Sequence, residues 1–364
     1  MSAASSIQRA VWRKLRRNKS AVLGGIVVLL TLFIAVFAYY LAPDSSPFAN
    51  RMIVELGAQK PCFRQKFLLL KKDNVPGHTS FFHRLLYGKP DAYQFIPIRN
   101  YSVRDTSLLV EKYIDEGVYD TVSYSIAARQ INAASIGGAY HIETRTFLLG
   151  TDKYGRDILS RLLVGSRVSL SVGVIAVIIS LGLGVVLGAI AGYFRGRADA
   201  IIMWLINVLW SIPTLLLVFA VTLLLGKGFW QVFIAVGLTM WVSVARLVRA
   251  QILTVRKLEY VEAARVLGYS DFRIIVRHIL PNIAGPIIVV AASIFASAIV
   301  IEAGLSFLGV GVQPPMPSWG LMIKENYNFI ITHNPMLALV PGLAIMLLVL
   351  AFNLLGNGLR DAIK

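Results

Sequence analysis

Val168-Ser169-Leu170-Ser171-Val172-Gly173-Val174-Ile175-Ala176-Val177-Ile178-Ile179-Ser180-Leu181-Gly182-Leu183-Gly184-Val185-Val186-Leu187-Gly188-Ala189-Ile190-Ala191-Gly192 contains no ionisable side chain. About 20 apolar residues in a helix cross a hydrocarbon core roughly 30 Å thick. In lipid every backbone group must bond within its own segment, so this stretch reads as a membrane helix and not as a strand. Five more runs of similar length flank it, at 21–42, 200–225 (interrupted by Pro213), 229–245, 283–307 and 336–355. The implied fold class is an all-α polytopic membrane protein with six transmembrane helices.

Composition agrees. Of 364 residues 56% are hydrophobic and 15% charged, with a net charge of +17; soluble domains carry about 45–50% apolar residues. The basic residues border the apolar runs, as in cytoplasmic loops facing anionic headgroups, and no nucleic acid is implied. Six of them, Arg9, Arg13, Lys14, Arg16, Arg17 and Lys19, precede the first run. That run is too long for a cleavable signal and reads as an uncleaved anchor after a basic segment at 1–20. Arg195 and Arg197, then Arg246, Arg249, Arg256, Lys257, Arg265, Arg273 and Arg277, then Arg360 and Lys364 fall on one side; the opposite short loops hold Lys227 and Lys324. The bias predicts both termini in the cytoplasm. The single cysteine, Cys62, permits no internal disulfide.

Residues 43–146 form a compositional island, polar and rich in aromatics (Phe81, Phe82, Tyr87, Tyr93, Phe95, Tyr101, Tyr119, Tyr124). Alternation in Val118-Tyr119-Asp120-Thr121-Val122-Ser123-Tyr124 predicts a strand, while 62–72 fits a helix or a strand. A small α+β extracytoplasmic insertion between the first two spans is expected, ahead of a core at 147–364. His78 and His83, five apart, make only a weak metal pair, and no metal is expected.

The cytoplasmic loop at 246–284 carries the most specific spacing. It contains Glu259-Tyr260-Val261-Glu262-Ala263-Ala264-Arg265-Val266-Leu267-Gly268, then Tyr269-Ser270-Asp271, then His278-Ile279-Leu280-Pro281-Asn282. Small helix-forming residues allow another surface to approach, Gly268 permits a left-handed stop, Ser270 or Asp271 can cap the next segment, and Pro281 starts the return. Glu-Ala-Ala, three residues, Gly, nine residues and Ile-x-Leu-Pro resembles the EAA loop of ABC importer transmembrane subunits, with His278 at the Ile position and no role assigned to it. The resemblance implies that Glu259, Glu262, Ala263, Ala264, Gly268, Leu280 and Pro281 couple to a separate ATPase.

Leu149-Gly150-Thr151-Asp152-Lys153-Tyr154-Gly155-Arg156-Asp157, with Leu305-Ser306-Phe307-Leu308-Gly309 and Pro317-Ser318-Trp319-Gly320, looks like the C-type subunit of the dipeptide/oligopeptide/nickel permease family. The likeness covers about 149–364 and the first span. It implies a multi-pass protein of the bacterial plasma (inner) membrane, a homologous permease subunit as heterodimer partner, two ATP-binding subunits, an extracytoplasmic substrate-binding protein and contact with membrane lipid. The transported solute would be di- or oligopeptides or similar small solutes, nickel included. Read from the residues alone, the Gly-Thr-Asp stretch is turn chemistry, with Arg156, Asp157 and Arg161 able to pair at helical spacing.

No Gly-x-x-x-x-Gly-Lys-Ser/Thr loop occurs, so ATP hydrolysis is expected in partner chains; no catalytic set or cofactor is expected either. Glu302, inside the fifth run, is the one candidate pathway or gate acid: it either contacts a cationic solute group, pairs with Arg167, or orders the outer gate. A secondary transporter or channel built on Glu302 is the alternative. Asn207 and Asn353 are expected between helices, and Gly182, Gly184 and Gly188 at a close helix contact.

Overall fold

In the computed structural model the apolar runs are helices; the described residues are 12–72, 79–104, 107–125, 142–226, 228–332 and 334–363. Arg9, His78, Lys227 and Lys364 lie outside them. Among the described residues five helices are long and apolar enough to cross a membrane. They are α1 (Lys19–Val36), α3 (Ile158–Phe194), α6 (Phe229–Val255), α8 (Asp271–Leu308) and α10 (Met336–Ile363). Asn18 starts α1, its Oδ1 accepting from Ala21 N at 3.1 Å.

The run at 200–225 is not one straight span. It forms α4 (Gly196–Trp210) and α5 (Thr214–Leu225), bent by 95°. Pro213 explains the break, because it has no N–H to continue the ladder and its ring clashes with the preceding turn. The chain leaves α4 through bonds from Ser211 N to Asn207 O (3.1 Å) and Ile212 N to Leu209 O (3.4 Å), and Pro213 O receives the first bond of α5.

The chain divides into two compact units. The first draws on Met1–Phe33, Val168–Gln313 and Leu343–Lys364. Within it α3 comes close to α6 at two glycines. A Cβ on Gly184 would stand 2.4 Å from Val244 Cβ, and one on Gly188 would stand 2.6 Å from Ala245 O. Ser180 Oγ donates to Gly237 O across the same seam at 2.9 Å. Gly182, expected at this contact, faces open space. Helix α6 runs past residue 245, so Arg246 and Arg249 stand on its last turns. Arg246 lies over the Trp210 ring at 3.5 Å, and Arg249 pairs with Asp199 at 2.5 and 2.7 Å.

The second unit is Ile34–Arg167 with Pro314–Gly342. It holds an antiparallel five-stranded sheet in the order β4-β3-β2-β1-β5. The strands are β1 (Phe63–Lys71), β2 (Tyr93–Arg104), β3 (Ser107–Asp115), β4 (Val118–Ser125) and β5 (Ile142–Phe147). The stretch open to either reading is strand β1, and the alternating stretch is β4. Both faces of the sheet are apolar. Phe67, Leu69, Tyr113 and Phe147 pack with Ile53 and Leu56, while Leu68, Ile96, Ile98, Leu108 and Val110 form the opposite cluster. A short helix, α2 (Phe81–Tyr87), joins β1 to β2. From the later segment, α9 (Trp319–Asn326) enters this unit through Trp319 Nε1, which donates to Leu162 O at 2.9 Å.

Candidate functional site: a loop helix, a polar cleft and a buried charge network

Helix α7 (Glu259–Val266) carries Glu259 and Glu262 in its first turn, where carboxylates complement the helix dipole. Val261 and Ala264 are its buried face. They join a core with Val244, Val248 and Ile252 of α6 and Ile274, Ile279 and Ile283 of α8. The helix stops at Gly268, whose φ of +75° only glycine adopts freely. Gly268 N donates to Arg265 O at 2.9 Å and Tyr269 N to Ala264 O at 3.2 Å, the paired bonds of a Schellman stop.

Several contacts fasten this loop. Tyr193 Oη donates to Asp271 at 2.6 Å, Arg265 lies over the Tyr193 ring, and Arg256 donates to Tyr193 O at 2.7 Å. The last contact places a cation at the carbonyl end of α3. Ser270 occupies the cap position before α8 without a side-chain cap bond, and the Asp271 carboxylate is committed to Tyr193. Ile274–Ile279 makes one π-type turn, and Pro281 lies in the first turn of the regular helix after it. His278 stacks on Tyr269 at 5.8 Å, an aromatic packing role in place of an aliphatic one. No local pattern in the chain signals the Tyr193–Asp271 bond, which joins residues 78 positions apart.

The outward side of the loop is apolar. Val266 is 88% exposed, Leu267 68% and Phe272 76%. Glu259, Glu262, Ala263, Gly268 and Pro281 are exposed as well, whereas Ala264 is buried and Leu280 half-buried. Large exposed apolar side chains beside acidic ones form a surface suited to a protein partner.

A cleft of about 470 Å³ opens among α4, α5, α6, α8 and α10. Trp210, Thr214, Thr239, Ser243, Ser297 and Asn353 supply its polar lining, with no ionised side chain among the residues that form it. Asn353 is thus on a cleft wall and exposed, and Asn207 is exposed also.

Glu302 is fully buried in α8 and is not among the lining residues. Ser306 Oγ donates to its Oε1 at 2.6 Å and accepts from Val312 N at 3.1 Å. The carboxylate therefore braces the turn that ends α8. Arg167, the partner the sequence offers, is committed elsewhere, to four main-chain carbonyls.

In the turn before α3, Asp152 binds the main chain at Tyr154 N and Arg156 N (2.9 and 3.0 Å) and pairs with Arg156 Nε at 2.6 Å. Arg156 and Arg161 share Glu325 at 2.7 and 3.2 Å. All four side chains are buried or nearly so. Asp157 does not join them; it accepts from Ser160 N at 2.9 Å and caps α3. Burial pushes its carboxyl above the usual carboxylate range, with the Asp44 charge adding to the effect against the lowering by Ser160.

Sequence comparison gives this geometry its context. The profile of the family described as the binding-protein-dependent transport system inner membrane component matches residues 184–364. That of the N-terminal TM domain of oligopeptide transport permease C matches 6–58. Among curated proteins, the glutathione transport system permease protein GsiD of Pectobacterium atrosepticum is 46% identical over 215 residues, 59% of this chain and 71% of the relative. The dipeptide permease DppC of Bacillus subtilis is 42% identical over 59% of this chain and 67% of the relative, and OppC of the same organism 40% over 59% and 70%. The chain belongs to the binding-protein-dependent inner-membrane components, as a permease of the peptide family of ABC importers.

Proposed function

We propose that this permease forms one wall of a translocation pathway for short peptides, with a homologous permease chain as the other wall, and that α7 transmits the movement of a separate ATPase. The supporting observation for the coupling role is the apolar outer surface of the loop, Val266, Leu267 and Phe272, on a helix whose other face is locked into the cores of α6 and α8. A rigid element with one buried and one exposed apolar face moves as a unit when its outer face is gripped.

The cleft supports the pathway role. Ser243, Ser297 and Asn353 are exposed on helices long and apolar enough to cross a membrane, and Thr214 is exposed on the second half of the bent pair. Lipid cannot satisfy hydroxyls and amides at that depth, so this face is covered by another protein chain with water between. Relatives of this chain are named for glutathione, dipeptides and oligopeptides. A lining of neutral hydroxyl and amide groups suits the uncharged amide backbone such solutes share. It lacks His, Cys, Asp and Glu, which ranks nickel behind peptides.

The chain spans the inner membrane six times, counting α4 and α5 as one broken span, with both termini cytoplasmic and the sheet unit outside. A substrate-binding protein delivers solute there, and ATP binding favours one of two access states through its differential affinity for them. Reconstitution tests this. Proteoliposomes holding this chain, its permease partner and the ATPases should take up a labelled dipeptide only with ATP and binding protein, and Leu267→Asp should insert normally yet release the ATPase. Uptake driven by a proton gradient without ATP would overturn the reading.

A further inference from the structure

Helix α2 belongs to the region 59–183 that neither family profile covers, and it takes part in neither the coupling loop nor the cleft. Its sequence is Phe81-Phe82-His83-Arg84-Leu85-Leu86-Tyr87. At about 100° per residue, Phe81, Leu85, Phe82 and Leu86 fall within one arc of about 140°, and His83, Arg84 and Tyr87 lie on the rest. None of the seven is buried. Phe81 is 56% exposed, Phe82 72% and Leu86 58%.

A single guanidinium ties it to the end of α1. Arg167 donates from Nε to Ala35 O (2.6 Å) and from Nη2 to Val36 O (2.8 Å), the last carbonyls of α1. The same group donates from Nη2 to Leu85 O (2.5 Å) and from Nη1 to Leu86 O (3.0 Å), close to the carboxyl end of α2. A cation there satisfies orphan carbonyls and both helix dipoles at once. Tyr40 reinforces the join: its ring packs 5.5 Å from Phe81 and lies under Arg84 at 4.4 Å. One flat group spanning both helix ends sets the carboxyl end of α2 at the same depth as the end of α1, beside the aromatic residues Phe37, Tyr39 and Tyr40 with which the apolar run nears its end at Ala42.

We infer that α2 is an interfacial membrane anchor, with Phe81, Phe82 and Leu86 seated in the headgroup–acyl boundary of the lipid leaflet that α1 ends in. At the end of that span Val36 and Leu41 are likewise exposed. Aromatic side chains favour this zone, and Tyr87, His83 and Lys89 provide polar and cationic groups to meet headgroups. The anchor holds the sheet unit against the bilayer and limits its tilt.

Site-directed spin labelling of the full complex in lipid nanodiscs tests the proposal, on a Cys62→Ser background. Labels at Phe82→Cys and Leu86→Cys should relax faster with oxygen than with a water-soluble nickel chelate. The order should reverse at His83→Cys and at Asp120→Cys on β4. A label at Leu30→Cys in α1 separates this claim from the spanning role of α1 itself, since it must read as lipid either way. Chelate access at both 82 and 86, or protection of both from either reagent as under a second permease chain, would overturn the anchor.

Discussion

Gly268→Val should uncouple transport without unfolding the protein, and the size of the effect comes from the geometry. A Cβ at this position meets nothing within 4 Å, so no steric clash arises with neighbours. The cost is confined to the backbone, held at φ +75°, where an L-residue loses about 1–2 kcal/mol relative to glycine and a β-branched one sits at the upper end. The Schellman bonds from Gly268 and Tyr269 then fray, and α7 loses its fixed end. A loss of about 1–2 kcal/mol lowers the population of the competent loop about 5- to 30-fold. Affinity of the permease pair for its ATPase, measured by surface immobilisation in detergent or nanodiscs, should fall by a similar factor, with peptide-stimulated ATP turnover falling in step. Gly268→Asn should be mild, because Asn tolerates the left-handed region, and Gly268→Ala intermediate. Membrane insertion and thermal stability should stay near wild type in all three. If Asn were as damaging as Val, or if Val bound ATPase as well as glycine does, the backbone argument would be refuted.

Other perturbations probe the frame around the sites. Glu325→Ala leaves Arg156 and Arg161 with less compensation in a buried setting, and should destabilise the sheet unit by about 3–5 kcal/mol, read as a fall in the unfolding midpoint in detergent. Gly188→Leu drives a side chain into Ala245 and Val248 and should cost about 1–3 kcal/mol by overpacking, visible as a lower midpoint, while Gly182→Leu should cost little. Asp157 has a folded-state pKa raised by burial. Its contribution to stability is therefore fully present below the unfolded value near 3.9 and is lost as pH rises through the higher folded value. Asp157→Asn retains the capping oxygen, so it should match wild type in acid and exceed it at neutral pH in thermal scans; a constant offset across pH would show that its charge is not the cause.

The spans were legible because lipid imposes one simple demand, long apolar helices, which a sequence states directly. The loop was legible because its spacing encodes a helix, a left-handed stop and a proline start, all local decisions. What local pattern cannot carry is pairing across distance. Arg156 and Arg161 read as partners for Asp157 at helical spacing, yet they find Glu325 more than 160 positions away. Glu302 reads as a pathway or gate acid because it is a carboxylate in an apolar run; its bond with Ser306, which in turn holds Val312 N, depends on how the chain turns after α8. The run at 200–225 carries its own warning in Pro213, but the size of the bend depends on packing that no window of sequence contains.

That bend sets a requirement on the surroundings of the protein. At 1.5 Å per residue, the 12 residues of α5 are about 18 Å long, well short of a hydrocarbon core roughly 30 Å thick. The amides of Thr214, Leu215 and Leu216 precede the first bond of α5, from Leu217 N to Pro213 O, so their own partners come from outside the helix. An amide left dry in hydrocarbon costs several kcal/mol. Acyl chains are therefore an unfavourable neighbour for these three amides. The proline that interrupts a hydrophobic run thus sets a hydration line inside the bilayer, at the same wall where Trp210 and Thr214 face the cleft.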